Sequence, residues 1–136
     1  MAHLQSKYER TYSEASNLEV FDDRLNYLWL NQKVVDLDRS IARKFYKTRK
    51  WLKTREEIRR RDLGSDLGVF GQYIYGDIYV HHINPITTKD ILTDSPVLYD
   101  PENLICCSLD THNTIHYSPA PKIPYVERKP GDTKLW

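Results

Sequence analysis

Cysteine is scarce in this chain of 136 residues: there are two, Cys106 and Cys107, and they are neighbours. With no Cys-x-x-Cys pair, a four-cysteine zinc knuckle is excluded. A disulfide between adjacent residues is strained and rare, so the two read as reduced thiols in a partly buried strand. Long apolar runs are also missing. The longest, 27–30 and 104–107, have four residues each, whereas a membrane-spanning helix needs about 20. No membrane crossing is expected. The N-terminus, Met-Ala-His-Leu-Gln-Ser-Lys-Tyr-Glu-Arg, lacks the apolar core of a signal peptide, so the expected location is intracellular. There is no internal repeat and no low-complexity tract.

What is present fits one domain. Two domains would be tight at this length. Apolar residues make up 40% and charged residues 29%, a composition of folded chains rather than disordered ones. Aliphatic residues are modest in number, and 10 Tyr, 3 Trp and 3 Phe supply much of the apolar area.

The net charge of +1 conceals an uneven distribution. Residues 43–61 hold 10 Lys/Arg and 2 Asp/Glu, a balance of +8, while the remainder holds 10 and 17, a balance of −7. A polyanion can be held by that short basic segment although the whole chain is nearly neutral. Histidine is clustered too: His81, His82, His112 and His116, four of the five, fall within 36 residues.

Along the chain, residues 18–37 carry Leu18, Phe21, Leu25 and Leu28 at i, i+3, i+7 and i+10, which predicts an amphipathic helix. Residues 1–40 are expected to form a helical extension. It reads either as a surface for a partner or DNA or, the favoured reading, as a packing layer that completes a small core. Residues 41–63 contain no Gly or Pro, and Gly64 follows as a stop signal. They predict helix, with Trp51 and Ile58 inward and a possible break near Thr48. Residues 69–75, a turn at Gly76-Asp77 and residues 78–80 predict a β-hairpin. Residues 84–102, with Pro85, Pro96 and Pro101, predict a long loop of functional importance. Leu104-Ile-Cys-Cys107 predicts a short buried strand. Ser108 or Asp110 is placed to cap a helix containing His112 and His116. Residues 118–136, with Pro119, Pro121, Pro124 and Pro130, predict an extended tail.

Chemistry points to the histidines. His112 and His116, at i, i+4 on a helix, project from one face and suit one divalent metal. A His-Glu-x-x-His metalloprotease is disfavoured, because Asn113 stands where the catalytic carboxylate would be. In a strand, His81 and His82 point to opposite sides; one can face the metal, the other the space beside it. Asn103, before the second strand, is placed to tie the long loop back to the histidine-bearing strand.

The segments Tyr79-Val-His-His-Ile-Asn-Pro85, Asp100-Pro-Glu-Asn-Leu-Ile105 and Thr111-His-Asn-Thr-Ile-His116 resemble the motif of the His-Asn-His (HNH) endonucleases, the ββα-metal fold. Upstream, Phe45-Tyr-Lys-Thr-Arg-Lys-Trp-Leu-Lys-Thr-Arg55, running into Arg59-Arg-Arg-Asp62, resembles the segment before the motif in phage-type members. The resemblance spans about residues 43–117. It implies an α+β fold with a ββα-metal (His-Me finger) core over 41–117, and a metal-dependent hydrolase of DNA phosphodiester bonds. By this resemblance His81, His112 and His116 bind one divalent metal, His82 is the general base, and Asn103 constrains the loop and helps orient His82. Many phage members carry Cys-x-x-Cys pairs for a structural zinc; the corresponding stretch here, Gly68-Val-Phe-Gly-Gln-Tyr, has none. Aromatic packing and residues 1–40 or the tail are expected to hold the fold instead.

Such a hydrolysis needs a deprotonated water, neutralised phosphate charge and a stabilised leaving oxygen. A neutral imidazole suits the first task and one cation the other two. Three imidazoles favour Zn, Ni or Mn over an all-oxygen Mg site, although the family resemblance admits Mg. Lys47, Arg49, Lys50, Lys53, Arg55, Arg59 and Arg60, within the basic segment, are the candidate contacts to the phosphates of duplex DNA. The competing readings are a non-catalytic DNA-binding or packaging-accessory protein that keeps the fold, and an RNase or nuclease toxin. A phage or prophage origin, the cytoplasm of a bacterial host and packaging proteins as partners follow from the resemblance alone.

Overall fold

The computed structural model describes residues 8–30 and 35–117. The expected tail at 118–136 and His3 lie outside them. The fold is α+β: short helices around one two-stranded antiparallel sheet. The helices are α1 (Tyr12–Ser16), α2 (Phe21–Leu28), α3 (Arg39–Phe45), α4 (Arg49–Asp62), α5 (Thr88–Leu92) and α6 (Leu109–Tyr117). The strands are β1 (Tyr79–His82) and β2 (Leu104–Cys107). Among the described residues no helix is long and apolar enough to cross a membrane.

Among the described residues, the helix expected over 18–37 is α2 alone. Trp29 leaves helical backbone at ψ 134°, and the Leu30 N–H instead donates to the Ile115 carbonyl (3.1 Å). A contact with α6 thus replaces the next helical turn. Further on, the break near Thr48 separates α3 from α4. The Thr48 hydroxyl donates to the Phe45 carbonyl (2.7 Å), closing α3, and accepts from the Trp51 N–H (3.3 Å), opening α4. Helix α4 stops where Leu63 and Gly64 turn left-handed, at φ 54° and 68°.

The hairpin expected over 69–80 does not form. Phe70 and Tyr75 are 86% and 93% exposed, so these rings have no face to pack on. Only an isolated bridge, Ser65 to Tyr73, remains there. The partner of β1 is β2, in the register Tyr79–Cys107, Val80–Cys106, His81–Ile105 and His82–Leu104. The expected loop 84–102 contains α5, opened by a capping box between Thr87 and Asp90, and short 3₁₀ turns at Pro96–Leu98 and Pro101–Asn103.

The sheet separates two cores. Ile105 and Cys107 face Ala15, Leu28, Leu30, Leu67, Ile83 and Ile115. Leu104 and Cys106 face Phe45, Trp51, Ile58, Ile86 and Leu98. This explains why β2 reads as an unbroken apolar run: both of its faces are covered. It also separates the adjacent cysteines, which are buried and free. Burial pushes the Cys106 thiol up to about 12, and the Cys107 thiol is raised as well.

Two carboxylates at the end of α4 and just after it fasten this wall. Asp62 accepts from the buried Cys106 N–H (2.9 Å) and pairs with Arg61 (2.9 Å). Asp66 accepts from the Ser108 N–H (3.1 Å), the Ser108 hydroxyl (2.9 Å) and the Thr111 hydroxyl (2.7 Å). Ser108 in turn caps α6 by accepting from the Thr111 N–H (3.1 Å). Removing an acceptor from a part-buried network costs about 1–3 kcal/mol. Asp66→Ala is therefore expected to lower the unfolding free energy by about that much in urea titrations. Asp77→Ala, on the exposed part of the same connector, is expected to leave the midpoint where it is.

Candidate metal centre

Strand alternation directs His81 toward α6 and His82 toward α3 and α4. On α6, His112 and His116 lie one turn apart on the face turned to β1. The ring centroids of His81 are 5.4 Å from His112 and 5.0 Å from His116, and those of His112 and His116 are 4.4 Å apart. One ligand atom from each of the three lies within 4.8 Å of the others. These three histidines are close enough to bind a metal ion. The Nε2 atom of His81 is buried and has no hydrogen-bond partner. A buried ring nitrogen left without a partner fits a ligand role, since such atoms are otherwise nearly always satisfied.

The electrostatics favour neutral rings. His81 is 3% exposed; burial, then the neighbouring His116, His112 and His82, hold its pKa well below the usual value. Burial and His116 bring His112 down to about 4, and burial lowers His116. Neutral imidazole is the metal-binding form.

His82 stands behind the strand. Its ring stacks on Trp51 (5.1 Å, 26°), and its Nε2 lies 3.0 Å from the Leu98 carbonyl. Since a carbonyl only accepts, Nε2 carries the hydrogen and Nδ1 keeps the lone pair. Burial pushes the His82 pKa down to about 4, against the smaller raising effects of Leu98 and Asp90. His81 and His82, on opposite faces of β1, both reach one cavity. This cavity, of about 550 Å³, is lined by His81, His82, His112 and His116, together with Arg39 and Tyr46.

Asn103 is fully buried and makes no hydrogen bond to His82. Its side chain accepts from the Asn84 N–H (2.8 Å) and side-chain amide (2.7 Å), and donates to the Val97 carbonyl (3.2 Å). It thereby fixes the loop next to Leu98, whose carbonyl orients His82. The link between Asn103 and His82 is thus indirect.

The basic segment divides. Lys50 pairs with Asp94 (3.0 Å), and Arg60 with Glu56 (3.6 Å). Arg61 donates to the Pro101 carbonyl (2.8 Å) and the Leu104 carbonyl (2.6 Å), which makes it part of the scaffold. Lys47, Arg49 and Lys53 are exposed. Arg55 and Arg59 line a second cavity that reaches His112. Sequence reasoning missed Arg39, which stands four residues before the segment where charge was counted, and Tyr46. It also missed the Leu98 carbonyl, which has no side-chain signal.

No protein-family model matches the chain, and neither a curated protein nor a solved structure matches it.

These shifts carry a pH dependence. The folded state binds protons at the four histidines less readily than the unfolded chain, whose imidazoles titrate near 6.5. Between about pH 6.5 and 4 the unfolded chain therefore holds more protons, and stability falls as pH falls. In metal-free protein the unfolding free energy from urea titrations is expected to decline from pH 7 to 5, by up to about 1.4 kcal/mol per pH unit for each histidine involved. His82→Phe should make the decline shallower. A flat profile over that interval would contradict the burial of these rings.

Proposed function

We propose that this chain is a metal-dependent DNA endonuclease of the HNH type, with β1, β2 and α6 as its ββα-metal core. The observation that carries the reading is the arrangement of four histidines around one cavity in two chemical settings. Three converge on each other. The fourth is held apart from them by the strand, with its tautomer set by a backbone carbonyl. A purely structural metal site has no use for the fourth. The segments that resemble the HNH motif supply all four histidines.

His81, His112 and His116 would hold one divalent cation, and their nitrogen donors suit Zn, Ni or Mn, with Mg admitted by the family resemblance. When bound, the cation supplies Lewis-acid stabilisation of the phosphate and of the leaving oxygen. His82 acts as general base through Nδ1. It takes a proton from water as the water oxygen attacks phosphorus, and the bond from phosphorus to the 3′ oxygen breaks. Burial lowers the His82 pKa to about 4, so the ring is unprotonated near neutral pH and its lone pair is available to accept a proton. Trp51 and the Leu98 carbonyl hold its ring in place, which limits the reorganisation needed at the moment of reaction. Arg39 lines the same cavity and offers its guanidinium to phosphate oxygens. Exposed Lys47, Arg49 and Lys53 extend a cationic surface for the duplex.

Purified protein incubated with supercoiled plasmid is expected to give nicked and linear forms with at least one of Mg, Mn, Ni or Zn. His82→Ala should reduce cleavage by about 10²–10⁴-fold while calorimetry still detects metal binding. His112→Ala should lose both. Plasmid left intact with every metal would overturn the reading. Parallel RNA and single-stranded DNA substrates identify the nuclease class.

A further inference from the structure

A second cavity, of about 760 Å³, adjoins the first and includes Tyr46, Trp51, Arg55, Arg59, Tyr79 and His112 in its lining. The two cavities share Tyr46, Val80 and His112, so a candidate metal ligand forms the partition between them. Arg55 and Arg59 are one turn apart on α4 and therefore present to the same space. Neither is strongly neutralised. Arg55 has no ion pair or hydrogen bond among the described residues. Arg59 has one loose contact with Glu56 (3.7 Å), and Glu56 is shared with Arg60. Elsewhere on the helix Lys50 and Arg61 are committed to intramolecular partners. The opposite rim carries one acid, Asp77. The remaining lining is part aliphatic, from Leu52, Ile78 and Val80, and part aromatic: Tyr79 stacks on His112 (5.8 Å, 20°), and Tyr46 meets Trp51 edge-on (5.5 Å).

Two adjacent guanidinium groups over an aromatic wall suit a phosphodiester and its sugar: the forks bind phosphate oxygens, and the ring faces take the deoxyribose. We propose that this cavity is a second phosphate subsite. It holds a phosphodiester on the same strand, next to the one brought to the histidines. The inference rests on the nuclease reading and deepens it. The preferred substrate is a polynucleotide, and a small diester without a flanking phosphate forgoes this contact. The rest of the basic segment then contributes general attraction, and Arg55 and Arg59 set the register of the strand over the metal centre.

The test uses the full chain and the double variant Arg55→Gln/Arg59→Gln, with matched thermal melting as the check on folding. Fluorescence anisotropy with a short labelled duplex in EDTA reads binding without cleavage. The variant is expected to bind about 10-fold or more weakly, and its slope of log affinity against log salt should be smaller by about 1–2. In the metal that supports cleavage, kcat/KM on an oligonucleotide is expected to fall at least about 10-fold, and by several-fold more than kcat/KM on bis(p-nitrophenyl) phosphate. Equal losses on both substrates, or no loss in binding, would overturn the subsite. If the wild type binds duplex but cuts neither substrate, the nuclease reading fails and the anisotropy comparison still decides whether these arginines hold phosphate. If the variant is unstable, Arg55→Lys and Arg59→Lys singly, which keep the charge and lose the fork, should each weaken duplex binding; unchanged affinity would overturn the subsite.

Discussion

Much of the structure depends on a charge kept out of water. The Asp62 carboxylate is 4% exposed at the last turn of α4 and accepts the N–H of Cys106 from the middle of β2. A buried carboxylate is tolerated only when it is paired and hydrogen-bonded, and Arg61 meets both conditions. Its guanidinium binds Asp62, donates to the carbonyls of Pro101 and Leu104, and lies 3.4 Å over the Tyr12 ring. One ion pair therefore joins α1, α4 and the entrance to β2. Asp66, four residues on, makes the corresponding connection to α6 through Ser108 and Thr111. Strand and helix are thus set against each other by carboxylates from one connector. The distances among His81, His112 and His116 follow from that frame.

The N-terminal residues join the same frame from the opposite side. The Asn84 side chain donates to the Arg10 carbonyl (2.7 Å) and accepts from the Arg10 N–H (3.2 Å). Ser13 donates to Glu102 through its N–H and its hydroxyl. Arg24, buried on α2, donates to the carbonyls of Ser16, Leu18 and Leu67. Asn84 is also bonded to Asn103, so residues 8–30 brace the loop that ends at the carbonyl holding His82. Both cysteines are free, so polar contacts of this kind, rather than disulfides, fasten the N-terminal residues to the loop.

What could be read from the sequence divides by range. The helical spacing of His112 and His116, the opposite facing of His81 and His82, the Thr48 break and the buried run of β2 are local patterns of period 3.6 or 2, and all appear in the fold. The hairpin at 69–80 failed because its local pattern was sound but its pairing was not. Strand β1 gains a fully covered partner in β2, across the 21 residues 83–103 that include α5, where the exposed 69–75 segment offers none. Charge counting found the basic segment but could not separate Arg61, whose partners include distant carbonyls, from Arg55, which has no ion pair or hydrogen bond among the described residues. Leu98 is invisible to any motif because its contribution is a backbone oxygen.

The polar bookkeeping of the interior finally bears on what the histidines are for. Among the described residues, His81 Nε2 is the one fully buried side-chain nitrogen or oxygen without a hydrogen-bond partner. The interior that leaves it so also satisfies Asp62, Asn103 and Thr111. Burial first, and then the neighbouring rings, disfavour protonation of His81 and His112. Local inconsistency in an otherwise consistent sequence is expected where function, not folding, sets the residues. Structural packing alone would be served as well by apolar side chains at positions 81, 112 and 116. A divalent ligand shell would use the unpartnered nitrogen, the neutral rings and their mutual distances together. The same argument applies to His82 in reverse: its hydrogen bond satisfies one nitrogen and leaves the other free to accept a proton.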